Sequence, residues 1–184
     1  VIGQLAPEGV HLVGHSFGGA PAAAYARLYP ERVSSLALLE PVFTFAYPPS
    51  EMTWWTMVTT LPGLPEGIRD YALRQIAGSD EAEAGGDNSD PVALMIAAAT
   101  EHFSAELPTP SPLSDEQAAQ LTMPVYVAIA GKDSLAGGHA AERAGEALAD
   151  ARGQTWDDAT HSLPMQEVDP LHTLLTEFWT ASDN

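Results

Sequence analysis

The chain has 184 residues, 45% of them apolar, with 25 acidic and 7 basic residues and no cysteine. Its formal charge of −18 argues against nucleic-acid binding, which needs a basic surface, and the lack of cysteine excludes disulfides, a thiol nucleophile and thiolate zinc sites. No apolar stretch reaches the roughly 20 residues of a membrane span, and no signal peptide is visible in the sequence, so we expect a cytoplasmic protein. The sequence does not indicate an oligomeric state.

The first elements in the chain are two short apolar runs separated by a small-residue segment. Short buried runs bounded by turn residues are typical of strands in a parallel sheet, and the segment between them is long enough for a helix. We therefore predict a strand at 10–14, a helix at 18–28 and a strand at 33–39.

Residues 42–122 differ in character and predict a helical insertion. Aromatic residues and methionines crowd its beginning. Helical periodicity appears at 66–77 and 91–106, and an acidic, glycine-rich loop at 78–90 separates them. The acidic residues of this loop lack the spacing of a calcium loop, so we expect a solvated surface and no metal site.

Regular alternation of strands and helices returns after residue 123. The pattern predicts a strand at 124–130, a helix at 139–151, a strand at 154–158 and a helix at 169–181. Alternation with buried strands predicts an α/β fold with a mostly parallel sheet flanked by helices, formed by residues 1–41 and 123–184. Sites in such sheets form at the carboxyl ends of the strands.

A candidate nucleophile lies directly after the first strand. Residues 14–18, Gly-His-Ser-Phe-Gly, match the G-x-S-x-G pattern between a strand and a helix, where the sharp turn exposes the serine hydroxyl. Ser16 would lie at a helix N-terminus, and the Phe17 N–H would help to stabilise an oxyanion. The alternative interpretation is a glycine-rich turn with a capping serine.

A serine nucleophile needs a base, and His161 is the best placed of the six histidines. It lies in a loop after a late strand and before the last helix. Such a loop can carry an imidazole over Ser16 at the carboxyl edge of the sheet. The alternative is a surface histidine without a catalytic role.

These segments resemble the α/β-hydrolase fold family, in particular its esterase-like branch. The resemblance rests on Gly14-His15-Ser16-Phe17-Gly18-Gly19, Tyr29-Pro30-Glu31-Arg32-Val33 and Thr160-His161-Ser162-Leu163-Pro164. It implies that Ser16 is the nucleophile, that His161 is the base, and that residues 42–122 are the variable cap. It also implies that several strands precede the nucleophile strand, so the chain resembles a C-terminal portion of such a hydrolase. A loop of that preceding region supplies the second oxyanion donor in the family, and we therefore expect poor activity from this chain alone.

The triad acid is left with two candidates. The family pattern places the acid three residues after the strand-ending Gly131, where this chain has Ser134, and Asp133 comes one position early. Some members use the end of the strand that follows the nucleophile helix, where this chain has Glu40. We favour Asp133, with Glu40 as the alternative acid. Asp133 could instead cap a turn, and Glu40 could instead pair with Arg32.

These features predict a serine hydrolase that cleaves a carboxylic ester, or a related acyl bond, of a small to medium apolar substrate through an acyl-enzyme. The mechanism needs no cofactor and no metal. Phe43, Trp54 and Trp55 are candidate substrate-binding residues, which could instead only pack the cap. Alternatives are a carbon–carbon bond hydrolase or a perhydrolase that uses the same triad, and a non-catalytic binding protein of the same fold.

Overall fold

The computed structural model of the chain describes residues 2–6, 8–61, 63–77, 94–95, 98, 108–148 and 151–183. The chain divides into two compact units, one formed by residues 1–49 with 110–184 and one by residues 50–109. Residues 42–49 and 110–122, which the sequence interpretation assigned to the insertion, pack with the first unit. The Leu113 N–H donates to the Thr44 carbonyl at 2.9 Å, and Phe45, Ala118 and Leu121 are buried in the core beside the sheet.

Four strands form a parallel sheet in the order β1-β2-β3-β4. They are β1 (Val10–His15), β2 (Val33–Leu39), β3 (Val125–Ala130) and β4 (Ala151–Trp156). The two inner strands are almost entirely buried because helices cover both faces of the sheet. The predicted α/β class with a parallel sheet is confirmed.

The helices of the described residues follow in chain order. They are α1 (Ile2–Leu5), α2 (Gly19–Leu28), α3 (Ser50–Thr60), α4 (Glu66–Ala77), α5 (Asp115–Ala118), α6 (His139–Ala147), α7 (Leu163–Gln166) and α8 (Val168–Ser182). Single 3-10 turns precede α2 and β2. No helix in the described ranges is long and apolar enough to cross a membrane.

Alternation along the inner strands divides the core into two layers. Leu36 and Leu38 of β2 point into one layer, which is shared with α2, α5 and α6, whereas Ala37 and Leu39 point into the other, shared with α7 and α8. Successive side chains of a strand point to opposite faces, so one apolar run supplies both layers.

The second unit contains α3 and α4, whose aromatic side chains meet. The rings of Trp55 and Tyr71 make an edge contact with their centroids 5.4 Å apart. The helix predicted at 66–77 is α4 with the same bounds. The predicted loop at 78–90, and the predicted helix at 91–106 apart from residues 94, 95 and 98, lie outside the described residues.

The region between β3 and α7 differs from the prediction in its bounds. Helix α6 ends at Ala147 rather than at residue 151, because Leu148 turns extended and buries its side chain in the core. Strand β4 covers 151–156 rather than 154–158. Pairing with β3 sets these bounds, from Val125 opposite Ala151 to Ala130 opposite Trp156. The polar, largely exposed side chains of this edge strand carry no apolar signal for its start.

Candidate active site

The turn after β1 holds Ser16 at the carboxyl edge of the sheet. Ser16 has a φ of 54°, a left-handed conformation that costs a non-glycine residue about 1 kcal/mol or more. The flanking glycines allow close packing. A Cβ at Gly14 would lie 2.8 Å from the Ala22 Cβ, and one at Gly19 would lie 2.6 Å from the Pro41 Cβ. Gly18 has open space around it, so the steric requirement holds at two glycines of this turn and not at the third.

His161 lies beside Ser16, in the turn between β4 and α7. Its Nε2 is 2.9 Å from the Ser16 Oγ. The loop that carries it is tied to the end of β3, where the Lys132 N–H donates to the Ala159 carbonyl at 3.0 Å. The next helix begins with Leu163, which has no exposed surface and packs in the second core layer. The imidazole is therefore held from both ends of its loop.

Glu40 is the carboxylate that faces the other nitrogen of His161. Its Oε2 lies 3.1 Å from the His161 Nδ1. A carboxylate only accepts hydrogen bonds, so this contact assigns the hydrogen of a neutral His161 to Nδ1 and leaves Nε2 to accept from the Ser16 hydroxyl. Ser16, His161 and Glu40 thus form a continuous chain of hydrogen bonds.

The Glu40 side chain has no exposed surface, and its carboxylate is surrounded by donors. Besides His161, these are the Ala130 N–H at 2.7 Å, the Ser134 hydroxyl at 2.9 Å, the Leu135 N–H at 3.0 Å and the Ala136 N–H at 3.3 Å. All four come from the end of β3 and the turn after it. A buried charge is tolerated only when it is hydrogen-bonded in this way.

The protonation of Glu40 reflects two opposing effects. Burial disfavours the charged form and raises the pKa of the carboxyl group, whereas the hydrogen bonds from His161, the Ala130 N–H and the Ser134 hydroxyl lower it. The hydrogen bonds outweigh burial, and the pKa of Glu40 lies below its ordinary value. Glu40 is therefore ionised at neutral pH.

Asp133, which the sequence interpretation favoured as the acid, is not the carboxylate that His161 contacts. None of the hydrogen bonds or ion pairs found for the described residues joins Asp133 to His161, and the turn directs the Ser134 hydroxyl to Glu40 instead. Asp133 has a φ of 44° and occupies the turn itself. Among the described residues, no hydrogen bond or ion pair joins Glu40 to Arg32 either, and Arg32 instead lies 3.8 Å from the Glu31 carboxylate.

The predicted substrate-binding residues lie in different parts of the chain. The Phe17 ring meets the Phe43 ring edge-on, with centroids 6.3 Å apart, and Phe43 meets Tyr47 in the same way. These three aromatic residues belong to the first unit and begin directly after Ser16. Trp54 and Trp55 belong to the second unit, on α3.

His15 is a neighbour of the site to which the sequence analysis gave no role. Its ring stacks on the His161 ring with centroids 5.3 Å apart and planes 25° apart, and its Nε2 lies 3.3 Å from the His161 carbonyl oxygen. As the residue between Gly14 and Ser16, it occupies a variable position of the motif. The only signal was its place at the end of β1, on the edge where His161 was expected.

Other candidate binding features of the described residues do not coincide with Ser16. In the described ranges, no three histidine, aspartate or glutamate side chains converge as metal ligands would. A cavity of about 210 Å³ lies between β4 and α8, away from the carboxyl edge of β1, and its lining includes Tyr126, Arg152 and Phe178. The arrangement at Ser16 suits proton transfer between a serine hydroxyl and an imidazole.

Comparison with solved structures finds longer proteins of the same fold. Naproxen esterase from Bacillus subtilis has a TM-score of 0.77 at 19% identity, over 94% of this chain and 60% of that protein. A meta-cleavage product hydrolase from Pseudomonas fluorescens IP01 has a TM-score of 0.73 at 22% identity, over 95% and 66%. The serine hydrolase CCSP0084 from Cycloclasticus zankles has a TM-score of 0.73 at 18% identity, over 94% and 64%. The chain thus spans less than two thirds of the length of these proteins.

Comparison with curated protein sequences finds no match. A family model described as "Alpha/beta hydrolase family" matches residues 1–175. This match covers nearly the whole chain and confirms the resemblance on which the sequence interpretation rested. The chain therefore belongs to the alpha/beta hydrolase family.

Proposed function

We propose that the protein is a serine hydrolase that cleaves a carboxylic ester, or a related acyl bond, through an acyl-enzyme. Ser16 is the nucleophile, His161 the general base and Glu40 the acid that orients it. The observation that carries the proposal is the chain of hydrogen bonds from Ser16 Oγ to His161 Nε2, at 2.9 Å, and from His161 Nδ1 to Glu40 Oε2, at 3.1 Å. A nucleophile, a base and an orienting group in this sequence are what acyl transfer requires.

In the acylation step, the Ser16 Oγ forms a bond to the substrate carbonyl carbon as its proton passes to the His161 Nε2. The resulting imidazolium is stabilised by the ionised Glu40, which lies against Nδ1 and keeps its charge. When the tetrahedral intermediate collapses, the carbon–oxygen bond to the leaving alcohol breaks and His161 returns the proton to that alcohol. In deacylation, a water molecule gives a proton to His161 and attacks the carbonyl carbon of the acyl-enzyme. The bond to the Ser16 Oγ then breaks, His161 returns the proton to Ser16, and the carboxylic acid product is released.

The negative charge of the tetrahedral intermediate needs hydrogen-bond donors at a fixed position. We assign one donor to the backbone N–H of Phe17, which follows Ser16 in the turn at the start of α2. The N-terminus of α2 (Gly19–Leu28) adds a favourable field for an anion at the same place.

An apolar acyl or leaving group suits the surface next to Ser16. The edge-on rings of Phe17, Phe43 and Tyr47 extend from the nucleophile along the first unit. Aromatic rings provide a large apolar contact area for a substrate. One neighbour in fold, naproxen esterase, bears a name that agrees with a carboxylic ester substrate.

A non-catalytic binding protein of the same fold is the alternative from another class. Loss of one triad member would favour it. Instead, the hydrogen bonds from Ser16 to Glu40 are continuous, and Glu40 is ionised, which supports an enzyme.

The test is covalent labelling with a fluorophosphonate probe together with hydrolysis of p-nitrophenyl esters of increasing acyl length, on the full-length protein. We expect labelling of the wild type and none of Ser16→Ala, with esterase activity lost in parallel. Ser162→Ala is a matched control, because this serine follows His161 directly in sequence and we assign it no part in the chemistry. Absence of labelling in a folded wild type would favour the binding protein.

A further inference from the structure

His15 contacts both the backbone and the side chain of His161, the proposed base. The Nε2–H of His15 donates to the backbone carbonyl of His161 at 3.3 Å, and the two rings stack at 5.3 Å between centroids. A carbonyl only accepts, so a neutral His15 carries its hydrogen on Nε2. The hydrogen bond holds the backbone of His161, and the stack covers one face of its ring.

The edges of the His161 ring are held by other residues. Glu40 faces Nδ1 and Ser16 faces Nε2. These two contacts lie in the plane of the ring and constrain how it tilts only weakly. The His15 ring lies against one face of the His161 ring and limits that tilt.

The charge of His15 is compatible with this position. Burial lowers the pKa of His15, the hydrogen bond to the His161 carbonyl opposes that effect, a charge on His161 lowers the pKa further, and Glu40 raises it. These are the titratable groups that face His15, and their net effect keeps it neutral at neutral pH. A neutral neighbour does not repel the imidazolium that forms on His161 during turnover.

We propose that His15 is the positioning residue of the base, holding the His161 ring so that Nε2 faces Ser16 and Nδ1 faces Glu40. This inference rests on the proposed function for its catalytic meaning. Its geometric content, one tautomer and one ring orientation of His161, holds with or without turnover. Misplacement of a reacting group by about 1 Å can cost about 100-fold in rate, so loss of both contacts should slow the chemical step.

The experiment compares three substitutions in the full-length protein. His15→Ala removes both contacts, His15→Gln keeps a donor without the ring, and His15→Phe keeps the ring without a donor. His139→Ala is the control, because the side chain of His139 is 94% exposed on α6 and its ion pair is with Glu142 on the same helix, away from His161. Nitrogen-15 NMR of the imidazoles reports the tautomer of His161 without a need for activity, and ester hydrolysis reports kcat and KM.

In the wild type and in His139→Ala we expect a single His161 tautomer, with its hydrogen on Nδ1. His15→Ala should give a mixture of tautomers, because a ring that tilts away from Glu40 no longer has its hydrogen fixed on Nδ1. It should also lower kcat by about 10- to 100-fold with KM little changed, and His15→Gln and His15→Phe should each recover part of the loss. A single Nδ1–H tautomer and unchanged kcat in His15→Ala would overturn the inference. If His15→Ala does not fold, a wild-type tautomer and wild-type kcat in both His15→Gln and His15→Phe would also overturn the inference.

The two proposals fail in different ways. If the wild type hydrolyses no ester, the tautomer measurement still decides the role of His15. A tautomer that depends on His15 in a protein without esterase activity would support the positioning role and reject the proposed function. An active enzyme in which substitution of His15 changes neither the His161 tautomer nor kcat would support the proposed function and reject the positioning role.

Discussion

At Glu40, four donors from the end of β3 and the following turn converge on a carboxylate that has no exposed surface. The fifth partner is the His161 Nδ1 at 3.1 Å. The donors offset the cost of burying the charge, and Oε2 accepts from the imidazole as well as from two backbone N–H groups. The residue itself has a φ of 47°, a left-handed conformation, directly after the end of β2.

Exchange of each candidate acid for its amide separates Glu40 from Asp133. We expect Glu40→Gln to lower kcat/KM on the order of 1,000-fold or more, because the amide can present its NH₂ to His161 and favour the wrong tautomer. Asp133→Asn should retain nearly all activity, because Asp133 does not contact His161. Steady-state kinetics of both variants is the measurement. An equal loss in both, or tolerance of both, contradicts this assignment.

The lowered pKa of Glu40 also predicts how stability responds to acid. A carboxyl group whose pKa is lower in the folded state contributes stability above its unfolded value, and this is lost as pH falls through the folded value. The free energy of unfolding of the wild type should therefore fall as the pH drops below about 4.5, the ordinary value for this group.

Glu40→Gln provides the matched comparison for this pH effect. It lacks the titrating group and should show a shallower fall of stability over the same range, although its stability at neutral pH is lower. Urea unfolding curves at a series of acidic pH values give both slopes. Parallel slopes for the two proteins would mean that Glu40 does not contribute as described.

Among the elements, β1, α2 and the turn between them depend on close approach of backbones. Gly14 and Gly19 are each within contact distance of groups that a side chain would displace, whereas Gly18 has nothing within 4 Å of an added Cβ. The glycines of one motif therefore have different physical roles. Helix α2 can approach Pro41 only because position 19 lacks a Cβ.

Substitution of these glycines tests that difference. Gly19→Ala should destabilise the protein by about 1–3 kcal/mol, because its Cβ would lie 2.6 Å from the Pro41 Cβ and 2.9 Å from the Pro41 Cα. Gly18→Ala is the control, since position 18 has helical dihedrals and free space. Urea unfolding of both variants is the measurement. Equal destabilisation by the two changes would show that close packing at Pro41 is not the cause.

For the whole molecule, the charge of −18 makes self-repulsion a general term in stability. Only 7 basic residues oppose 25 acidic ones, and the described ion pairs of lysine and arginine, such as Lys132 with Asp158, lie at the surface and contribute little. Screening of this negative charge by salt should therefore favour the folded state without any change of contacts.

Salt dependence of thermal unfolding tests this term. We expect the Tm at neutral pH to rise as KCl is increased from low concentration to about 0.5 M, because the Debye length falls and acidic side chains repel one another less. Near the pKa of the carboxyl groups the net charge is small, and the same addition of salt should have little effect. A Tm that falls with salt at neutral pH would mean that attractive ion pairs outweigh the repulsion.

Local patterns were enough for much of the fold and for part of the candidate site. The apolar run of β2 and the periodicity of α4 predicted those elements with their observed bounds, because burial on one or both faces leaves a regular pattern. The predicted start of β4 was three residues too late, because the bounds of a polar edge strand are set by pairing with its neighbour and leave no apolar pattern in its own side chains.

Residues that are contiguous in the chain were enough to predict the α/β class, the strand–turn–helix around Ser16 and the late loop of His161. The carboxylate that faces His161, and the stacking of His15 on its ring, depend on contacts between distant parts of the chain. Glu40 and the donors after Ala130 are about 90 residues apart in the chain and meet because β2 and β3 are neighbours in register, with Leu39 opposite Ala128. Contacts between residues this far apart in the chain depend on the order and register of the strands, and no local sequence pattern predicts either.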